Sequence, residues 1–360
     1  MKKILISGYY GFDNAGDEAV LQAILDSLKK EVPYVKPIVL SANPDKTAKE
    51  YNIEAINRFK LKAIIKAIKE ADGLISGGGS LLQDETGIFT IPYYLVVIKL
   101  AQFYGKPTFI YAQGVGPVKR KFFYSLISHT FRKTKYISVR DRESALLLNS
   151  MGVPINTIDI VADPVLNLVP AKKERVEEIM QKENIIQPPI LISVRFWKNN
   201  KEYLETIAKV ADQLIKQGEQ IVLIPMHEPN DRHASEYVIN RMNEEATILE
   251  AYDEREILGI IAESKCMIGM RLHALIFATA MGVPAIGISY DPKIDQFLAK
   301  LNQTPVGTVD DLDFTTLYDQ IKHVITHLEE NKQELDKKLP QLKELAYRPA
   351  KSIEEFFKEN

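Results

Sequence analysis

Short runs of apolar and β-branched residues alternate with helix-patterned stretches along this chain, and no other feature narrows its fold as much. Residues 3–7, 37–41, 73–76, 108–111 and 136–139 read as strands. Residues 17–30, 61–70, 91–104 and 142–150 read as the helices between or after them. Such alternation gives a mostly parallel sheet covered by helices on both faces. Segment 163–173 holds two prolines and no clear period, so it reads as a linker. The pattern then restarts, with strands at 190–195, 220–224, 246–249, 266–270 and 285–289. The helix expected over 203–217 sets Leu204, Ile207, Val210, Ala211, Leu214 and Ile215 on one stripe, and Gly218 stops it. Charged amphipathic helices are expected over 316–329 and 332–339, with Pro340 ending or kinking the second. The fold class is therefore α/β: two Rossmann-like doubly wound domains, 1–165 and 166–345, facing a cleft.

Composition narrows the function classes. Of 360 residues, 46% are hydrophobic and 26% charged, which suits ordinary globular cores rather than a disordered chain. The 46 Lys and Arg nearly balance 48 Asp and Glu, for a formal charge of -2. That excludes a chain that coats nucleic acid by bulk charge. The one cysteine, Cys266, excludes an internal disulfide framework and fits a reducing compartment. No secretory signal is visible, and no apolar run reaches the ~18–20 residues of a transmembrane helix. A cytoplasmic protein is expected.

In open parallel sheets ligands sit outside the carboxyl ends of the strands. The first strand ends in Gly8–Glu18, where glycines allow a tight turn and Asp17 can cap the next helix. The spacing is not the dinucleotide fingerprint, which argues against NAD. Loop 76–84 opens after another strand and can form an anion- or hydroxyl-binding nest, but it lacks the Gly-Lys-Ser/Thr ending of a P-loop. Gln113–Pro117 is a third glycine turn, and Arg140 ends the strand 136–139. Plain turns, and a surface pair of Arg140 with Asp141, explain these residues as well as a ligand does.

The second half is more pointed. Arg195 ends one strand, His227 and Glu228 follow the next, and Arg271-Leu272-His273 follows a third. Tyr290-Asp291-Pro292-Lys293 follows a fourth. An isolated histidine is more often a packing residue, as His227 illustrates. Arg271 and His273, however, open a nearly uncharged helix, where a structural role for both is hard to supply. Arginine forks, a lysine and a helix N-terminus together suit a small polyanion. No HExxH, CxxC or Asp-x-Asp pair supports a metal centre.

With Gly8–Glu18, 77–84, Gln113–Pro117, 139–144, Ala162-Asp163-Pro164, Arg271-Leu272-His273 and Tyr290–Lys293 in this order, the chain resembles the polysaccharide pyruvyl transferase family. It is most similar to the CsaB branch. The resemblance implies a GT-B-like fold, with 346–360 as a tail or helix packing back on the first domain. It implies transfer of pyruvate from phosphoenolpyruvate (PEP), a co-substrate, to O4 and O6 of one sugar, with no cofactor or metal. The implied acceptor is a β-linked N-acetylmannosamine on a lipid-linked cell-wall precursor, whose pyruvylated polymer anchors surface-layer proteins. Carried onto this chain, His273 is the general acid/base with Arg271 beside it. Arg271, Lys293, Arg195 and Arg140 are the PEP contacts, Arg140 reaching from the other domain. Asn14, Asp17, Ser80 and Gln83 are the acceptor contacts. An imidazole ordinarily titrates near neutrality, which suits such proton transfers.

Residues 119–135 carry six Lys and Arg, no acid, and the aromatics Phe122, Phe123, Tyr124 and Phe131. They read either as a peripheral contact with the inner face of the plasma membrane or as a solvated helix whose aromatics pack on the sheet. Two other functions stand beside this one: a nucleotide-sugar glycosyltransferase of the same GT-B type, and a non-enzymatic protein that binds cell-wall glycan or an anion.

Overall fold

In the computed structural model, which describes residues 2–84 and 87–359, each half of the chain builds its own parallel sheet. The first unit is Met1–Leu168 with Leu342–Asn360, and the second is Val169–Gln341. In the first, the strands are β1 (Lys2–Ser7), β2 (Val35–Ser41), β3 (Glu54–Asn57), β4 (Gly73–Ser76), β5 (Gly79–Leu82), β6 (Thr108–Val115), β7 (Tyr136–Val139) and β8 (Ile158–Ile160). Their order is β3-β2-β1-β4-β6-β7-β8, with β5 paired to β6. In the second unit they are β9 (Ile190–Ser193), β10 (Ile221–Leu223), β11 (Thr247–Ile248), β12 (Cys266–Gly269), β13 (Ala285–Ser289) and β14 (Gly307–Thr308). The order β11-β10-β9-β12-β13-β14 repeats the scheme. In both sheets the chain winds outward one way and then returns to wind the other, so the switch lies between β1 and β4 and between β9 and β12.

Alternation along the strands explains the layers. Leu5, Leu74, Ile110 and Ile137 share one core with Ile64, Ile68, Val97, Ile98, Phe123 and Ile127 of the helices Leu61–Glu70, Thr90–Phe103 and Phe122–Phe131. Phe109, one residue before Ile110, faces the other way. It meets Phe356 and Phe357 at 5.3 and 5.9 Å between ring centroids.

Those two rings belong to a single helix, Leu328–Glu359, which continues through both Pro340 and Pro349. Pro340 therefore does not end it. A proline inside a helix costs ~3 kcal/mol or more through its missing N–H and its clash. Offsetting that, Ala346, Ala350, Ile353 and Phe357 recur at helical spacing and are all buried. Full burial of a side chain such as Ile353 or Phe357 contributes ~1.5–3 kcal/mol. Lys2 Nζ also donates to the Phe357 carbonyl at 3.3 Å, and Arg348 pairs with Asp159 at 2.9 Å.

Two sequence-based turns prove to be strand. Residues 79–82 pair with an extended β6, Gly79 opposite Gln113 and Leu82 opposite Val115. Backbone groups expected to form a ligand nest are thus partly spent on a ladder. The loop after β6 is pinned instead by Asp84, whose buried carboxylate accepts from Lys119 N at 2.8 Å and Arg120 N at 2.9 Å and pairs with the Arg120 guanidinium at 3.3 Å. Burial alone would raise its pKa, but these donors hold it below the ordinary 3.8. A carboxyl depressed in the folded state stabilises the fold above its unfolded pKa, and that share is lost as pH falls through the folded value. Asp84→Asn should therefore melt lower than the parent at pH 7. The gap between the two should narrow progressively in thermal melts as pH falls below the ordinary carboxyl value of about 3.9; a gap unchanged on that descent would refute the role. Among the described residues no helix is long and apolar enough to cross a membrane.

Candidate functional site

Because β9 and β12 flank the switch of the second sheet and β13 follows β12, the residues leaving their carboxyl ends are brought side by side. Adjacent strands lie ~4.8 Å apart, so this edge gathers Arg195, Arg271, His273 and Lys293 within the span of three strands. Arg195 follows β9. Its Nη1 donates to the Tyr290 hydroxyl at 2.7 Å, and its guanidinium lies 4.7 Å from the Tyr290 ring centroid and 5.4 Å from that of Trp197. Tyr203, buried and with its hydroxyl pushed up to about 12 by that burial, donates to the Arg195 carbonyl at 2.8 Å and accepts from Trp197 N at 2.9 Å. The 195–197 turn is thereby held from below. Arg195 Nε is buried with no hydrogen-bond partner among the described residues, so the fork keeps unused donor capacity.

Arg271 is the N-cap residue of the helix Leu272–Ala280 and makes no capping bond there; the first turn carries no acid. By contrast, Asn14, Asp141, Asp291 and Asp313 cap their own helices. The amino end of 272–280 thus keeps its positive partial charge. The Arg271 guanidinium grips Asp231 through two donors, Nε at 2.8 Å and Nη2. Asp231 is fully buried in the first turn of Asn230–Ile239, the helix after β10. That clamp fixes the plane of the fork and offsets part of its charge. His273 is half-buried at the second helical position, its ring 6.5 Å from that of Phe277. Lys293 opens the next helix, where Asp291 accepts from its backbone N at 3.0 Å and lies 3.8 Å from its Nζ.

The other expected residues lie in the first unit. Asn14 caps the helix Ala15–Glu31 and donates to Asp17 at 2.6 Å. Two glycines permit the packing here. A Cβ on Gly77 would lie 2.2 Å from the Tyr10 hydroxyl, and one on Gly79, at φ +84°, 2.7 Å from Asp17 Oδ1. Part of the glycine pattern therefore serves the buried Tyr10 and the approach of Asp17. Arg140 is almost fully buried; it donates to Asp163 and to Ser80, both at 2.9 Å. Arg140 and Ser80, expected on different ligands, are thus brought together in one polar chain. Gln83 is half-buried beyond β5.

Three contributors to the second unit's edge, and Arg58 in the first unit, escaped the sequence reading. Asp231 gave no local signal, because its partner lies 40 residues on. Tyr290 stood in a motif without a role, and Trp197, the one tryptophan, followed a strand end already noted. Arg58 follows β3, an unrecognised strand. It is buried, donates to the Gly8 carbonyl at 2.6 Å, and lies 4.4 Å from the Tyr93 ring centroid and 5.1 Å from that of Phe12. Among the described residues, no three His, Cys, Asp or Glu side chains stand so as to hold a metal ion.

A family model described as polysaccharide pyruvyl transferase matches residues 14–292. The amylovoran biosynthesis protein AmsJ of Erwinia amylovora is 22% identical over an alignment 402 positions long, which covers 94% of this chain and 96% of AmsJ. Two solved structures match over 100% of both chains: the UDP-GlcNAc 2-epimerase of Neisseria meningitidis bound to UDP-GlcNAc, and Anabaena Alr3699/HepE in complex with UDP-glucose. Their TM-scores are 0.66 and 0.67, at 14% and 10% identity. At these identities the likeness is one of fold, two Rossmann-like units of the GT-B-like kind.

Proposed function

Because the chain belongs to the polysaccharide pyruvyl transferase family, and so is a transferase acting on a glycan, we propose that its donor is PEP and that its product is a cyclic pyruvate ketal. The acceptor in this reading is a β-linked N-acetylmannosamine of a lipid-linked cell-wall precursor, substituted on O4 and O6. What carries the proposal is the cationic edge at the β9/β12 switch, where Arg195, Arg271, His273 and Lys293 leave neighbouring strands.

The chemistry asks for such an edge. PEP presents a phosphate and a carboxylate, and protonation of its methylene carbon makes C2 electrophilic. One sugar hydroxyl adds to C2 and phosphate leaves with its bridging oxygen. The second hydroxyl then closes the ring. Of the two hydroxyl protons, one is balanced by that delivered to carbon and the other ends on phosphate. His273 moves protons beside C2 and C3. Arg271, oriented by Asp231, and Lys293 bind the two anionic groups, and the open amino end of 272–280 adds partial positive charge. Arg195 supplies further donors over the Tyr290–Trp197 surface. Asn14, Asp17, Ser80 and Gln83 are assigned to acceptor hydroxyls, with Arg140 positioning Ser80.

PEP should raise the melting temperature, whereas UDP-glucose and UDP-GlcNAc should not. With an acceptor glycan present, PEP should release free phosphate. Arg195→Gln should raise KM for PEP about 10- to 100-fold with a smaller change in kcat, the loss of one charge-assisted contact. Stabilisation by a UDP-sugar alone would favour a glycosyltransferase, and binding of PEP without phosphate release a non-catalytic protein.

A further inference from the structure

In a parallel sheet every helix begins at the carboxyl edge, so the three helices 61–70, 90–103 and 122–131, packed side by side on one face, start together. Each start exposes a large apolar side chain: Phe59 and Leu61 at the first, Phe89 at the second, Phe122 at the third, with exposures of 68, 56, 81 and 57%. Phe123 and Phe131 are buried in the core, so of the aromatic run of 119–135 this surface draws on Phe122, and the rest of it comes from the other two junctions. A groove of about 240 Å³ opens between the first two helices, lined by Phe59, Leu61, Ile64, Tyr93, Val96 and Leu100.

Exposed Lys60, Lys62, Lys119, Arg120 and Lys121 stand among these residues. Acids are missing from the surrounding sequence. Residues 55–69 contain five Lys and Arg and no Asp or Glu, and residues 86–140 contain nine and none. The acids beside these two runs in sequence include Glu54, Glu70, Asp84 and Glu85; Asp84 is buried against Arg120 and the 119–120 backbone, Glu54 pairs with Lys36 and Glu70 with Lys3. In a chain whose overall charge is -2, one edge is therefore both cationic and apolar.

We propose that this edge seats the protein on a bilayer rich in anionic phospholipid, the aromatic tips entering the headgroup layer and the lysines meeting phosphates. Charge complementarity selects this occupant. Exposed apolar tips interleaved with cations match an anionic interface. The inference stands apart from the proposed reaction, and its test uses neither donor nor glycan.

The full chain is to be sedimented with vesicles of phosphatidylcholine alone or with phosphatidylglycerol added. Binding is expected on the anionic vesicles only, and it should weaken at high salt. The double variant F89E/F122E should bind about tenfold or more weakly. Phe103→Glu, an equally exposed position at the far end of the middle helix, should bind like the parent. No binding to anionic vesicles at low salt would overturn the proposal, as would unchanged binding by F89E/F122E or equal loss in Phe103→Glu. So would sedimentation velocity showing a dimer that F89E/F122E dissociates, because the face would then belong to a second copy.

Discussion

His273→Ala is expected to lower turnover by about a hundred- to ten-thousand-fold, the usual contribution of a positioned proton-transfer group. Its melting temperature should stay near that of the parent. Alanine is the better helix former, and His273 neither caps the helix 272–280 nor fills its core, which is made by Ala274, Leu275, Phe277 and Ala278. Single-turnover phosphate release, with circular dichroism on the same sample, separates the two effects. Full turnover in the variant would remove the imidazole from the mechanism and leave only the cationic edge.

The second large effect falls on a residue that touches no substrate. Asp231 is fully buried and holds Arg271, whose side chain is 17% exposed, through two hydrogen bonds. Removing one partner of such a pair leaves an uncompensated charge with little access to water, which typically costs about 3–5 kcal/mol. Asp231→Ala should therefore shift urea unfolding to clearly lower concentration and lose activity. The double variant D231A/R271M should regain part of that stability, since no charge is then left unpaired, yet stay inactive. This contrast separates a clamp from a general packing role. Unfolding of Asp231→Ala at the parent's midpoint would mean that the pair does not orient Arg271.

The sequence was most legible where local pattern and global fold agree. The bounds of β4, β7, β13 and of the helices 61–70 and 142–150 follow directly from periodicity. The rule that ligands gather at carboxyl ends singles out Arg195, Arg271, His273 and Lys293, and all four lie at that edge of the second sheet. What stayed hidden depends on distant partners. Gly79-Ser80-Leu81-Leu82 carries no strand alternation and is a strand only because β6 runs on to Val115. Glu54–Asn57 has mixed polarity as an edge strand, and with it Arg58 escaped notice. Pro340 and Pro349 are local helix breakers overridden by burial of 346, 350, 353 and 357, an energy no short window contains.

That last helix also sets the order in which the chain can be completed. Its final turns belong to the first unit, so the face carrying Phe109 lacks Phe356 and Phe357 until translation has passed every strand of the second. On the ribosome the first unit's sheet is thus begun before the second's but finished after it, and the nascent chain must keep an apolar surface waiting for Phe356 and Phe357.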